Sequence, residues 1–151
     1  MAASSAPRPP VYPRSPKAQL GGLAHLPRMI DKVRLRHAGE IQDYNYLTAG
    51  FDKHLLEFLA IKAEDFEKRV LAGGSDEDLL AWVRGQGRPL TEAEIRQWSI
   101  GLLRAAPKDD ATRQRFRERL ADVAAQRGVA IETLPRVTTW VEMIELDEGR
   151  L

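Results

Sequence analysis

The sequence predicts an all-α fold: one compact domain of six or seven mostly short helices behind an extended, Pro-rich N-terminal arm. Three observations carry that expectation. Apolar residues recur at spacings of three and four along most of the chain, helix-capping patterns open several of those stretches, and no alternating run is long enough to build a sheet. The arm is expected to be flexible over residues 1–16 and the helical domain to fill residues 17–149.

The arm holds five of the nine prolines and lacks the apolar middle of a secretory signal. Leu23, Leu26, Ile30 and Val33 then mark the buried face of a first helix. It starts near Leu23 or Pro27, since proline is tolerated only in a helix's first turn, and stops at Gly39. After a loop through Tyr44-Asn45-Tyr46, Asp52 is the expected N-cap of a second helix bearing Leu55, Leu56, Phe58 and Leu59, with Phe51 stapled onto Leu56. A third helix runs from Glu64 to Ala72 and ends at Gly73-Gly74. Ser75-Asp76-Glu77-Asp78 opens the fourth with a hydroxyl cap and with carboxylates where the helix dipole favours them; Leu79, Trp82 and Val83 turn inward, and Gly85 and Gly87 close it.

Thr91 and Glu94 form a capping box ahead of a fifth helix whose core face is Ile95, Trp98 and Leu102. A sixth begins at Asp109 or Asp110, buries Phe116, Leu120 and Val123, and ends at Gly128. A second box, Thr139 with Glu142, opens the last helix, which runs to Leu146 and is anchored by Trp140, Met143 and Ile144. Only Val129 to Thr133 reads as extended.

Composition narrows the functional classes. The 151 residues, 43% hydrophobic and 30% charged, suit one globular domain, and no apolar run approaches the roughly 20 residues that span a bilayer. Zero cysteines exclude disulfides, thiolate metal sites and cysteine nucleophiles and fit a reducing cytoplasm, the expected compartment. The net charge of +1 conceals blocks of alternating sign: +6 over residues 1–38, −5 over 39–103, +3 over 104–127 and −3 over 128–151. Each basic block has an acidic neighbour to neutralise it, which argues against nucleic acid as a partner. The run Arg113, Arg115, Arg117 and Arg119 alternates along the sixth helix and so reads as a solvated face. Phosphate-cradling glycine loops, nucleophile elbows and zinc-binding His-Glu-x-x-His patterns are missing.

Read in order, Leu20-Gly21-Gly22, Arg28 with Ile30-Asp31-Lys32, Gly50-Phe51-Asp52 with Phe58-Leu59, Ser75-Asp76-Glu77-Asp78 with Leu80-Ala81-Trp82-Val83, and the late Trp98 form a set. In this the chain resembles the DUF5069 family, small bacterial proteins without an established activity. The resemblance covers roughly Ser15 to Gly149 and implies almost nothing about function. It breaks at Ala60, where the family tends to have glycine; a Cβ is strained in the left-handed conformation, so a different turn is expected before Ile61.

Polar residues crowd into the first helix and its following loop. On a helix, Asp31 lies three residues from Arg28 and Arg34, and Lys32 four from Arg28, so three cations are expected around one carboxylate. The functional reading is an anion site in which Arg28 and Lys32 grip, Asp31 orients, and Tyr44 and Tyr46 close the face; the alternative is a solvated ion-pair ladder. His25, His37 and His54 lack metal-ligand spacing, so no metal and no cofactor are expected. The acidic end, Glu142, Glu145, Asp147 and Glu148, opposes the helix dipole and calls for a basic partner, either another protein or the Arg-rich sixth helix.

The leading expectation is therefore a non-catalytic module that binds a protein partner or a small anionic ligand at the face of Arg28, Asp31, Lys32, Tyr44 and Tyr46. The alternative is an enzyme acting on a small anionic metabolite, with Arg28 and Lys32 as clamps and His25 or Tyr44 as acid–base group. A weaker alternative is a nucleic-acid-associated accessory protein. Oligomeric state is open.

Overall fold

Before any helix, the chain makes a β-hairpin that the sequence reading did not contain. In the computed structural model, which describes residues 9–151, β1 (Gln19–Leu20) pairs antiparallel with β2 (Leu23–Ala24), Leu20 opposite Leu23. Gly21 and Gly22 form the turn at φ 59° and 81°. Two positive φ values in a two-residue loop are what the right-handed strand twist requires, and glycine adopts them without strain. The hairpin takes Leu23 out of the expected first helix, leaving α1 as Leu26–His37 with Pro27 in its first turn.

Six more helices follow: α2 (Gly50–Leu59), α3 (Ala63–Leu71), α4 (Asp76–Gln86), α5 (Glu92–Arg104), α6 (Asp110–Arg127) and α7 (Trp140–Asp147). The all-α prediction holds. Capping boxes at Ser75/Asp78, Thr91/Glu94, Asp109/Thr112 and Thr139/Glu142 start four of the helices. Four local expectations fail. Val129–Thr133 is not extended, since Ile131–Thr133 forms a single 3-10 turn. Asp52 is not an N-cap: Ala49 holds that position and Asp52 lies inside the helix, fully buried. Phe51, also within α2, packs with Ala24, Leu102 and Val141 rather than as a staple. Ala60 keeps the left-handed conformation (φ 57°, ψ 44°) despite its Cβ, because it caps α2 by donating to the Glu57 and Leu56 carbonyls.

Leu26, Met29, Ile30 and Val33 of α1 are completely buried at the centre of the main hydrophobic cluster, with Leu55, Leu59, Phe66, Val70, Leu79 and Val83 around them. Each side chain of this size contributes about 1.5–3 kcal/mol by leaving water. A second cluster, Phe116, Val123, Val137, Met143 and Leu146, joins α6 to α7. A small bridging group, Ala24, Leu102 and Val141, links the two. The seam between the clusters is where α2, α5, α6 and α7 meet, and there the packing leaves a cleft. Residues 1–8 of the expected arm lie outside the described residues; Pro13 and Pro16 are buried, and Arg14 and Ser15 bond to the domain.

Candidate functional site

The polar residues singled out on α1 divide among three places. Arg28 and Lys32 are 2% and 5% exposed, so neither is a surface group. Arg28 meets Glu148 in a two-pronged ion pair of 2.5 and 2.8 Å and also donates to the Arg14 carbonyl. Arg150 adds bonds to Glu148 and Glu145. The acidic end thus finds its cations within the chain: the buried Arg28, Arg150 at the C-terminal end, and Arg119 of α6 against Asp147 at 3.4 Å.

Lys32 reaches the other way, to Asp52 Oδ1 at 3.1 Å and the Asn45 carbonyl at 3.0 Å. Asp52 accepts from His25 Nε2 at 2.5 Å and from the Leu47 amide at 2.9 Å, so it ties α1 to α2 and pins the Tyr44–Leu47 loop. Burial would raise the Asp52 pKa, yet the His25 hydrogen bond and the Lys32 charge hold it below its ordinary 3.8. Burial outweighs Asp52 at His25 and pushes its pKa below 6.5, favouring neutral imidazole. The geometry agrees: with Nε2–H donated to Asp52, the buried Nδ1 has no partner, and a proton there would be stranded. Lys32 is likewise lowered, mainly by burial. The Tyr44 ring lies over both cations, 5.6 Å from the Arg28 guanidinium carbon and 5.9 Å from Lys32 Nζ, and burial raises its pKa.

Asp31 is not surrounded by Arg28 and Arg34. Its carboxylate takes the side chain and amide of Arg14, which also bridges to Asp76, while Arg34 donates to the Gly74 carbonyl. Spacing along a helix could not reveal a partner supplied by the chain before it. Tyr46 is elsewhere again: its hydroxyl donates to Glu67 at 2.5 Å, with Arg36 4.3 Å above the ring and His37 on the same carboxylate. The five residues of the expected anion face therefore differ in their partners: the Tyr44 ring lies by Arg28 and Lys32, whereas Asp31 bonds to Arg14 and the Tyr46 hydroxyl to Glu67.

The cleft at the seam has the opposite character. It has a volume of about 640 Å³. Phe51, Trp98, Leu102, Trp140 and Ile144 provide apolar walls, and Gly101, Ala105 and Ala106 leave its floor low. A hydrogen bond from the Trp140 amide to the Ala105 carbonyl, 3.0 Å, fixes α7 to the end of α5 and sets the width of the seam. Every ionisable side chain in its lining is basic: His54, Lys108, Arg115 and Arg119. Arg119 pairs with Asp147 at 3.4 Å, and the charge of Lys108, after hydrogen bonds from Thr112, helps lower the pKa of its neighbour Asp109; among the described residues neither Lys108 nor Arg115 forms a salt bridge. Neither His25 nor Tyr44 lines it. The sequence signal was present in Arg115 and Arg119, four apart and hence on one helical face, but alternation along α6 drew the reading toward a solvated surface.

Among the described residues, no three potential metal-ligating side chains converge, and no helix is long and apolar enough to cross a membrane. The fold defines a small all-α domain with one β-hairpin and a basic-rimmed cleft. The sequence matches the family model for Domain of unknown function (DUF5069) over residues 11–150, nearly the whole chain, and the protein belongs to that family. No curated protein matches it.

Proposed function

We propose that this protein is a non-catalytic binding module for a small anionic ligand, and that the ligand enters the cleft between α2, α5, α6 and α7. The observation that carries this reading is the one-signed lining. No carboxylate lines the cleft, so its cations, only partly offset by Asp147 and Asp109 outside the lining, leave a positive field that an anion relieves. Low-lying apolar walls reduce the competition from water and strengthen the attraction. The face around Arg28, Asp31, Lys32, Tyr44 and Tyr46 draws less support, because an incoming anion there must displace Glu148 from Arg28 or Asp52 from Lys32. An enzymatic role for His25 draws less as well, since its ring is 1% exposed and lies outside the cleft lining.

Thermal denaturation tests the reading. Inorganic phosphate and small organic carboxylates, compared at constant ionic strength, raise the melting temperature by mass action if the native state alone binds them. The rise disappears in the Lys108→Ala/Arg115→Ala double variant. No rise with any oxyanion, or an equal rise in the double variant, contradicts the proposal.

A further inference from the structure

The cleft's apolar lining is unusually rich in fixed aromatic surface. Three rings from three helices face it: Phe51 of α2, Trp98 of α5 and Trp140 of α7. Each is braced from outside the cleft. Trp98 stacks on Phe58, centroids 5.4 Å apart and planes 18° from parallel; Trp140 meets Phe116 edge-on at 5.1 Å; Phe51 meets the His25 ring edge-on at 5.7 Å. Rings already immobilised by such neighbours surrender little rotamer freedom when a ligand arrives. The aliphatic contribution is small by comparison, since only Leu102 and Ile144 carry branched chains into the lining.

The lining also holds small residues. Gly101 lies inside α5, and a Cβ built on it meets nothing within 4 Å. Beside it Ala105 and Ala106 present single methyl groups. Small residues set among rigid rings in one lining leave room for a flat body against the ring faces, whereas a flexible acyl chain would leave the indole faces partly unpaired. Offset or edge contacts between aromatic rings add attraction beyond buried area alone. The cations Lys108 and Arg115, both exposed, line the same cleft and are open to the ligand's charged end.

We infer that the ligand class of this cleft is a planar aromatic ring carrying an oxyanion, carboxylate or phosphate, the ring held between Trp98, Trp140 and Phe51 and the oxyanion by Lys108 and Arg115. The inference rests on the binding reading proposed above and adds the ring to it.

Calorimetric titration of the full chain with three probes separates the two. Phenyl phosphate and cyclohexyl phosphate share charge and approximate size and differ in aromaticity; inorganic phosphate lacks a ring. Phenyl phosphate is expected to bind about two- to tenfold tighter than cyclohexyl phosphate, the range that an aromatic contact supplies, and tighter than inorganic phosphate by a larger factor. Benzoate against cyclohexanecarboxylate repeats the comparison for a carboxylate. Gly101→Leu, which fills the slot from an unobstructed position, abolishes the aromatic preference, and Lys108→Ala/Arg115→Ala weakens all the anions together. Equal affinity for the phenyl and cyclohexyl probes, or a preference that survives in folded Gly101→Leu, overturns the aromatic assignment while leaving an anion site. Failure of every probe to bind overturns both.

Discussion

Two groups of cations in this molecule have opposite fates. Around α1, Arg28 and Lys32 are buried and each is matched to a carboxylate, Glu148 and Asp52, so their charge is spent on holding the chain together. Around the cleft, Lys108 and Arg115 are exposed, and among the described residues neither forms a salt bridge. Polar density along a sequence marks both groups alike. What distinguishes a structural network from a binding site is whether its charges already have partners.

Breaking each group should separate them sharply. Asp52→Ala leaves Lys32, His25 and the Leu47 amide without their shared acceptor, and removing one partner of a buried ion pair destabilises by about 3–5 kcal/mol. Urea denaturation reads the loss directly. Arg28→Ala is expected to lose somewhat less, about 2–4 kcal/mol, because Arg150 still compensates Glu148. The Lys108→Ala/Arg115→Ala variant should unfold within about 0.5 kcal/mol of the natural chain, as exposed substitutions commonly do. A large loss there would erase the contrast.

Proton linkage sharpens the contrast further. The native His25 pKa lies below 6.5, so the unfolded chain binds protons that the native state refuses. The contribution is complete above the ordinary value and is lost as pH falls below it, by at most about 1.4 kcal/mol per pH unit from this one group. Asp52, held below 3.8, extends the same sign into stronger acid. Urea midpoints should therefore drop between about pH 7 and pH 5, and drop less in His25→Gln. At the cleft the expected change is a gain: Gly101→Ala relieves glycine's helical penalty and should stabilise by up to about 1 kcal/mol, visible as a raised melting temperature.

Much of the fold was legible because helix signals are local. Thr91 with Glu94 and Thr139 with Glu142 are read from three-residue spacings and form the boxes their residues imply, and the expected Ser75 cap goes further, closing a box with Asp78. Asp109 caps α6, but its reciprocal partner is Thr112, a shorter side chain than the usual Glu. The hairpin was missed for want of length, although Leu20-Gly21-Gly22-Leu23 carries the glycine pair that its turn needs. Asp52 was misread because an acid near a helix start has a sufficient local explanation; its true partners, His25 and Lys32, are 27 and 20 residues away. The cleft was illegible for the same reason. Phe51, Trp98 and Trp140 each look like core on their own helices, and only the incomplete closure of the seam between two hydrophobic clusters leaves them facing a void.

The most direct test of the central claim is a two-dimensional amide NMR titration with phenyl phosphate, which compares both regions in one sample. The account predicts concentration-dependent shifts that cluster at Phe51, Gly101, Thr112, Arg115 and Arg119 while Arg28, Lys32 and Tyr44 stay still. Shifts centred on Arg28, Lys32 and Tyr44 instead would contradict it and return the anion site to α1.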